Sequence, residues 1–393
     1  MTTVAVDVAI AGAGLPGMSL AVSLAHAGLR VALVDRAPIA LPEFDPATWD
    51  ARVYAISPGS ARFLQATGAW QALPPDRITA IEAMHVVGDG GACLDFSAYD
   101  MNERALAWIV EERSLRNALL PQVRSAGLEV IGEAPFVGLS FTPEAALLTL
   151  GGAAPGELQA RLLVGADGVR SWVRTAAGIV AEPRSYGQTA VVANFNCARA
   201  HHGVARQWFQ DDGGVLAWLP LPGRRISIVW SAPEALAEEL RALAPDALAE
   251  RVMQAGGGAL GALAPLTPAA AFPLSLLRLP ATVAHRLALV GDAAHGIHPL
   301  AGQGMNLGLG DAEVLAQVLR ERGPVADPGA PVLLQRYARR RAEPVLAMQA
   351  VTDGLARLFG PPTPWLKSLR NAGVAAVDRL PVIKRFMAQP ALR

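Results

Sequence analysis

Glycines near the start of the chain have a spacing that lets the backbone approach a phosphate group. Gly12, Gly14 and Gly17 form the pattern G-x-G-x-x-G, and Asp35 follows about 20 residues later. The first two glycines permit a tight turn close to a pyrophosphate, and the third lets a helix pack closely on a strand. Asp35 is placed to accept hydrogen bonds from a pair of ribose hydroxyls. This spacing therefore predicts a dinucleotide-binding site.

The segments around these glycines have the patterns of the elements that must position them. Residues 4–10 are a β-branched apolar run typical of a buried parallel strand, and 18–27 predict a helix that Gly28 ends. Residues 31–34 predict a second strand. The result is a complete βαβ unit, whose helix N-terminus offers unpaired N–H groups to phosphates.

Two later segments also end apolar strands with residues that could face a ligand. Residues 161–166 lead into the turn Asp167-Gly168, and residues 287–291 lead into Asp292. The second segment continues toward a helix predicted over about 307–320. On the way it passes Pro299, Gly302, Gly304, Met305 and Asn306. In open α/β folds ligands bind at the C-terminal edge of the strands, so both segments are predicted to reach one site.

These segments, taken in order, resemble the class A flavoprotein aromatic hydroxylases, which share the glutathione-reductase-like FAD fold of p-hydroxybenzoate hydroxylase. The runs at 50–60, 291–299, 302–308 and 311–312, with the closing 379–385, are similar to the ubiquinone-biosynthesis hydroxylase family. The resemblance covers nearly the whole chain. It departs from the family pattern at Pro16, which removes one N–H from the glycine loop.

The resemblance implies an α/β fold with two domains. A glutathione-reductase-like FAD-binding Rossmann domain would be discontinuous, formed by residues 1–75, 105–180 and 275–345. An inserted antiparallel-sheet substrate domain would take residues 76–104 and 181–274, and 346–393 would form a C-terminal helical segment. The middle of the chain has strand-like runs that contain Trp208, Trp218 and Trp230, which could line a substrate cavity or pack in an ordinary core.

The resemblance also implies a set of FAD-binding residues. They are Gly12, Gly14, Gly17, Asp35, Arg36, Arg52, Arg113, Asp167, Gly168, Asp292, Pro299, Gly302, Gly304, Met305 and Asn306. The first three glycines would face the pyrophosphate, Asp35 the adenosine ribose and Arg36 the adenine end. Asp292 would hold the ribityl or pyrophosphate region. Backbone amides of 302–306 would face the pyrimidine edge, where reduced flavin carries negative charge.

Several of these roles leave alternatives open. Arg113 corresponds to an arginine that approaches the cofactor from a helix, and Arg52 to one near the flavin and the substrate entrance. Asp167 and Asp292 could instead be turn or capping residues. The family relies mainly on the flavin, so no acid–base residue is assigned; Arg52 and His298 are the candidates near the flavin.

The chemistry that the resemblance implies is monooxygenation. NADH or NADPH would bind transiently and reduce FAD, and O2 would then give a flavin hydroperoxide whose distal oxygen passes to an electron-rich ring. In the ubiquinone branch that ring belongs to a polyprenylated phenol, so an apolar channel is expected. Two alternatives stay open: hydroxylation of a soluble phenol or secondary metabolite, and a non-catalytic FAD-binding subunit of a biosynthetic complex.

The composition argues against other classes of protein. The 393 residues carry 34 Lys+Arg and 34 Asp+Glu, and this zero net charge gives no field that would attract nucleic acid. Hydrophobic residues make up 52%, yet no run of about 20 apolar residues could span a bilayer. Two distant cysteines and an isolated His295-x-x-His298 pair predict no metal site. We therefore expect a soluble, cytoplasmic protein.

The C-terminal residues 364–387 combine apolar and basic side chains. Such a segment could lie at the inner face of a membrane as an interfacial helix that collects a lipid substrate. It could equally pack back on the FAD-binding domain. The sequence thus leaves peripheral membrane contact, or membership of a biosynthetic complex, as alternatives to an isolated enzyme.

Overall fold

The computed structural model describes residues 2–41, 45, 47–152, 156–300, 302–323 and 325–359. Within these residues the strands are β1 (Thr2–Ala11), β2 (Val31–Val34), β3 (Val53–Ile56), β4 (Ile78–Ile81), β5 (Ala83–Val87), β6 (Cys93–Ser97), β7 (Ala107–Glu111), β8 (Glu129–Ile131), β9 (Phe136–Phe141), β10 (Ala146–Leu150), β11 (Gly156–Gly165), β12 (Arg184–Cys197), β13 (Val204–Phe209), β14 (Val215–Leu221), β15 (Arg225–Pro233), β16 (Leu263–Pro265), β17 (Ala270–Leu276), β18 (Val283–Ala284) and β19 (Leu287–Leu289). The helices are α1 (Leu15–His26), α2 (Pro58–Ala66), α3 (Glu112–Ser125), α4 (Trp172–Ala176), α5 (Glu234–Ala242), α6 (Pro245–Ala255), α7 (Gly304–Arg320) and α8 (Pro331–Leu358).

The first sheet has the strand order β18-β19-β11-β1-β2-β8, with β10 and β9 added antiparallel beside β11. Strand β1 runs parallel to β2 and to β11, and β11 runs parallel to β19. The register pairs Ala11 with Gly165, and Gly165 with Leu289. Three strands far apart in the sequence therefore end at one edge, so the turns that follow them meet there. The predicted mixed α/β fold is confirmed.

Helices cover one face of this sheet and form its main core. Strand residues such as Ile10 and Leu33 are fully buried and pack with Leu20 of α1 and Leu315 of α7. Burying such a side chain contributes about 1.5–3 kcal/mol to the free energy of folding. This core therefore holds α1 and α7 against the face of the first sheet. None of the helices in the described residues combines the length and apolar character that crossing a bilayer requires.

The second sheet has the order β16-β12-β15-β14-β13-β5-β6, and β17 also pairs with β12. Its pairs are antiparallel except for β13 with β5. Because side chains alternate along a strand, the two faces differ. One face, which includes Phe195 and Ile228, packs against α5 and α6. The other carries Asn194, whose Nδ2 donates to the carbonyl oxygen of Asp50 (2.8 Å), three residues before β3. A third, small sheet has the order β3-β7-β4.

The starts of α7 and α1 bear on two sequence observations, the predicted boundary near residue 307 and the proline in the glycine loop. Helix α7 begins at Gly304, three residues before the predicted start at about 307, so Gly304, Met305 and Asn306 form its first turn. Glycine is unfavourable in a helix interior but is tolerated at this end, which is why propensity misplaces the boundary. Pro16 lies in the first turn of α1, where the N–H that proline lacks has no partner within the helix.

Candidate functional site

The glycine loop between β1 and α1 has room only for glycine at two of its three positions. Gly12 has a φ of +113°, and a Cβ there would lie 2.3 Å from the Ala166 carbonyl oxygen. A Cβ on Gly17 would lie 2.1 Å from the carbonyl oxygen of Gly12. Gly14 is the N-cap of α1, and no described side chain caps this end. The N–H groups of the first turn are therefore free to meet an anion.

Asp35 closes this loop from the end of β2. Its Oδ2 accepts a hydrogen bond from the backbone N of Ala13 (2.6 Å), and its Oδ1 accepts one from Ala37 (2.8 Å). The carboxylate thus fixes the loop and still lines a cavity of about 270 Å³. The cavity brings together residues that the sequence assigned to one ligand, namely Gly12, Gly14, Asp35, Arg36, Asp167 and Gly168.

The arginine of α3 nearest the glycine loop is Arg116. Its Nη1 donates to the Ala13 carbonyl oxygen (3.4 Å), and the residue lines the same cavity. Arg113 instead donates from Nη1 and Nη2 to Thr48, at 2.9 Å to the side-chain and to the backbone oxygen. Sequence reasoning missed Arg116, although a residue three positions after Arg113 on a helix shares its face. Arg116 therefore joins the candidate site.

Asp167 has a structural partner for each carboxylate oxygen. Oδ1 accepts from the Ser171 hydroxyl, and Oδ2 accepts from the backbone N of Trp172 (2.7 Å) and of Val173 (3.1 Å). The carboxylate thus caps the start of α4, which is the turn-and-cap alternative raised by the sequence. The adjoining Gly168, at a φ of +82°, presents backbone to the cavity.

Asp292 follows the third strand end and is accessible to solvent. Desolvation by the protein around it raises the pKa of its carboxyl group, although the nearby His295 and Arg52 oppose that shift. Arg52 pairs through Nε with the Glu112 Oε2 (3.0 Å), and its guanidinium lies over the Phe272 ring at 5.4 Å. Arg52 therefore connects the first-sheet side of the site with β17 of the second sheet, and it interacts with Asp292.

Below Asp292 lies a buried polar hub centred on Asp311 of α7. Its Oδ2 accepts from the Gly291 backbone N (2.8 Å) and from His295 Nε2 (2.6 Å), and its Oδ1 accepts from Arg341 Nε (2.6 Å). Burial alone raises the pKa of this carboxyl, but His295 and Arg341 outweigh it and hold the pKa below its usual value. Asp311 thus fixes the turn that carries Asp292.

The N-terminus of α7 is held in place by Asn306. Its Oδ1 accepts from the Ser57 backbone N (2.9 Å), and its Nδ2 donates to the Ala55 carbonyl oxygen (2.8 Å). The side chain is therefore fully used within the chain, and the start of α7 offers backbone N–H groups instead. Gly302, at a φ of +62°, precedes this helix on the same turn as Pro299.

Trp208, Trp218 and Trp230 do not line the candidate site. They point to the face of the second sheet that packs on α5 and α6, where Trp218 and Trp230 are 1% and 2% exposed. The Trp208 and Trp218 rings meet edge to face at 4.9 Å. These contacts are those of the core-packing alternative raised by the sequence. Strand alternation puts these positions on the face opposite Ala205 and Leu221, which pack on β7 of the third sheet.

Residues 5–352 match a family whose description is "FAD binding domain". The chain belongs to this family. It is 38% identical over 391 residues to the ubiquinone hydroxylase UbiL of Rhodospirillum rubrum, covering 98% of this chain and 89% of that one. It is 33% identical to the 3-demethoxyubiquinol 3-hydroxylase of Escherichia coli, with both chains fully covered. The family predicted from the motifs is therefore confirmed, together with FAD as its cofactor.

Solved structures of flavoproteins have the same fold. PqsL of Pseudomonas aeruginosa, solved with 2-aminobenzoylacetate, is 26% identical with a TM-score of 0.79, over 94% of this chain and 99% of that one. HpxO of Klebsiella pneumoniae, solved with FAD, is 18% identical with a TM-score of 0.76, over 98% of each chain. The second likeness concerns the fold alone.

The residues at the sheet edge fit the FAD of this family. Backbone N–H groups at the start of α1 and the guanidinium of Arg116 suit a pyrophosphate, and Asp35 is an acceptor for ribose hydroxyls. The two glycines at which a Cβ would clash keep the loop closed against β11. Asp292 and the start of α7 extend the same edge toward the second sheet.

Proposed function

We propose that the protein is an FAD-dependent monooxygenase that uses NADH or NADPH and O2 to hydroxylate the aromatic ring of a polyprenylated phenol in ubiquinone biosynthesis. The observation that carries this proposal is the end-to-end similarity to ubiquinone-biosynthesis hydroxylases. FAD, when bound, takes electrons from the nicotinamide and activates O2.

The chain's own residues would bind and orient the reactants. Gly12, Gly14 and Arg116 would hold the pyrophosphate, and Asp35 the ribose. Asp292 would hold the ribityl region, fixed by the hub at Asp311. The N–H groups at the start of α7 would stabilise negative charge on the pyrimidine edge, because a helix N-terminus carries a partial positive charge. We also propose the domain division given above, with 76–104 and 181–274 as the substrate domain.

Water must be kept from the reacting atoms, because a wet site releases the activated oxygen as H2O2. The inner face of the second sheet contacts the third, small sheet, where Ala205 and Leu221 pack with Ile109 of β7. Arg52 and Phe272 would close the mouth of the site. We propose that a prenyl chain lies along this inner face.

The test is oxygen incorporation by the purified, FAD-loaded protein. With NADH or NADPH under ¹⁸O2, ortho-geranylphenol or a short-chain demethoxyubiquinol should be hydroxylated with one labelled oxygen. p-Hydroxybenzoate, a soluble phenol, serves as the matched control. Product from the soluble phenol alone would favour the alternative substrate class. FAD binding without oxidation of nicotinamide in the presence of any phenol would favour the non-catalytic subunit.

We further propose peripheral contact with a membrane through residues 364–387, which lie outside the described residues. Basic and apolar side chains together favour an anionic bilayer surface. The full chain should float with vesicles of mixed anionic and zwitterionic lipid, and Lys384→Glu with Arg385→Glu should abolish that flotation. Equal flotation of both proteins would contradict contact through these basic residues. A parent protein that does not float would favour packing on the FAD-binding domain or a biosynthetic complex.

A further inference from the structure

His298 lies in the turn that leads from Asp292 to the start of α7. The residue is 1% exposed, although the turn borders the FAD edge of the first sheet. Residues 296–300 are also tied to the second sheet: Gly296 exchanges two backbone hydrogen bonds with Leu277, at 3.1 and 3.3 Å, directly after β17. This turn is therefore a joint between the two sheets.

Both ring nitrogens of His298 are engaged. Nδ1 accepts a hydrogen bond from the Leu300 backbone N (3.3 Å). The other nitrogen, Nε2, lies 2.9 Å from Gln188 Oε1. Because Nδ1 accepts, the proton of a neutral ring is on Nε2, which donates to Gln188. The ring thus spans the joint, with one bond to its own turn and one to the second sheet.

The orientation of the Gln188 amide is fixed independently. Gln188 Nε2 donates to the Gly213 carbonyl oxygen (3.0 Å) in the hairpin between β13 and β14. Its Oε1 must then face His298. Gln188 lies on β12 on the inner face of the second sheet, in alternation with Ala190, Val192 and Asn194. One chain of hydrogen bonds therefore runs from the hairpin through β12 to the turn before α7.

The surroundings keep the His298 ring neutral. From β12, Tyr186 meets it edge to face at 4.9 Å between ring centroids. From α8, Asp353 favours the charged ring, but Asp353 itself pairs with Arg184, Arg357 and Arg278. Burial dominates and lowers the pKa of His298 to about 4. At neutral pH the ring is a fixed donor and acceptor.

We propose that His298 is a positioning residue whose Nε2–H bond to Gln188 sets the distance between the substrate-binding sheet and the turn that precedes α7. This inference rests on the proposed function. With the sheet held, NAD(P)H, H⁺, O2 and the substrate phenol give NAD(P)⁺, the hydroxylated phenol and water. With the sheet displaced, NAD(P)H, H⁺ and O2 give NAD(P)⁺ and H2O2.

Two substitutions of His298 each keep one of its two hydrogen bonds and remove the other. In His298→Asn the amide oxygen replaces Nδ1, so the bond to Leu300 is kept and the bond to Gln188 is lost. In His298→Gln the amide nitrogen replaces Nε2, so the bond to Gln188 is kept and the bond to Leu300 is lost. Gln188→Leu removes the same hydrogen bond by replacing its acceptor. Each is assayed for H2O2 released per NAD(P)H oxidised with ortho-geranylphenol, and for FAD affinity.

The proposal expects His298→Asn and Gln188→Leu to raise the H2O2 fraction several-fold to the same level, with FAD affinity within twofold of the parent. His298→Gln should stay near the parent. Coupling in the parent should be flat between pH 6 and 8. The reverse order of the two His298 variants would overturn the proposal. So would a step in coupling near pH 6.5 that His298→Asn removes, because that step indicates acid–base chemistry.

A second measurement does not depend on hydroxylation. In protein labelled with ¹⁵N-histidine, the His298 signal should report the Nε2–H tautomer from pH 5.5 to 8, and Gln188→Leu should shift its Nε2 resonance. If the parent protein does not hydroxylate any phenol, the proposed function fails while this test still decides the geometry. An Nδ1–H tautomer, or a protonated ring at neutral pH, would contradict the proposed hydrogen-bond arrangement of His298.

Discussion

At the scale of single residues, the candidate site contains residues that belong to a local sequence motif and residues whose partners are distant in the sequence. The sequence predicts the first kind but not the second. Gly12 is recognisable from spacing, because its neighbours in the motif define the turn. Asp311 is not, because its partners Gly291, His295 and Arg341 are brought to it by the packing of α7 and α8. Gln188 and Arg116 belong to the second kind. Local patterns thus give the phosphate loop, while buried side-chain partners require the tertiary structure.

Replacing Gly12 by alanine should weaken FAD binding strongly without unfolding the first sheet. The added Cβ would lie 2.3 Å from the Ala166 carbonyl oxygen, so the loop must open away from β11. We expect FAD affinity, measured by flavin fluorescence, to fall on the order of 100-fold, which corresponds to about 2.7 kcal/mol. Gly28→Ala is the control, because Gly28 has a φ of +79° and no heavy atom near its Cβ position. Equal FAD loss in both variants would contradict this account.

Replacing Asp311 by asparagine should destabilise the protein at neutral pH. Arg341 would keep a buried charge without its partner, which costs about 3–5 kcal/mol in free energy of unfolding. Because the native pKa of Asp311 lies below its unfolded value, its contribution is complete above about pH 4 and disappears as the pH falls through the native pKa. Urea unfolding at pH 7 and pH 3.5 should therefore give a smaller difference between parent and variant at the lower pH.

The control for this prediction is Glu321→Gln. Glu321 pairs with Arg340 and Arg336 across the same two helices, α7 and α8, but on the surface. Surface pairs contribute little to stability. A loss in Glu321→Gln as large as that in Asp311→Asn would mean that the helix contact in general, rather than the buried hub, determines the effect.

At the scale of elements, the sequence predicts which strands and helices exist better than it predicts their faces. The βαβ unit and the antiparallel runs around Trp208, Trp218 and Trp230 were predicted from periodicity. Alternation defines two faces but does not say which one is covered by helices. In the structure α5 and α6 cover the face that carries the three tryptophans. The start of α7 at Gly304 likewise depends on Asn306 holding it to Ser57, a contact between distant residues.

Substitutions of the buried tryptophans should change stability and leave substrate binding unchanged. Trp218→Ala removes a side chain packed on Gly256 and should lower the free energy of unfolding by about 3–5 kcal/mol. Trp230→Phe is the milder variant for kinetics, and its KM for ortho-geranylphenol should match the parent. A KM raised several-fold with unchanged urea stability would return Trp230 to the substrate site.

At the scale of the whole molecule, the proposed FAD site is assembled from segments that lie far apart in the chain. FAD at 100 times its dissociation constant should raise the free energy of unfolding by about 2.7 kcal/mol. Hydrogen exchange should show new protection in 12–17, 165–168 and 291–306 together, while the hairpin at 209–215 is unchanged. Protection confined to the first of these segments would contradict a site built on all three strand ends.

The parallel neighbours of β11 have a consequence for synthesis on the ribosome. Strand β11 pairs with β1 on one side and with β19 on the other, and β19 ends at Leu289, whereas β2 ends at Val34. At about 5–20 residues per second, the nascent chain waits on the order of 10–50 s between the emergence of β2 and of β19. During that interval the first sheet is incomplete while the second emerges. Flavin loading is therefore a late event, and a nascent chain shorter than about 300 residues has no complete site to load.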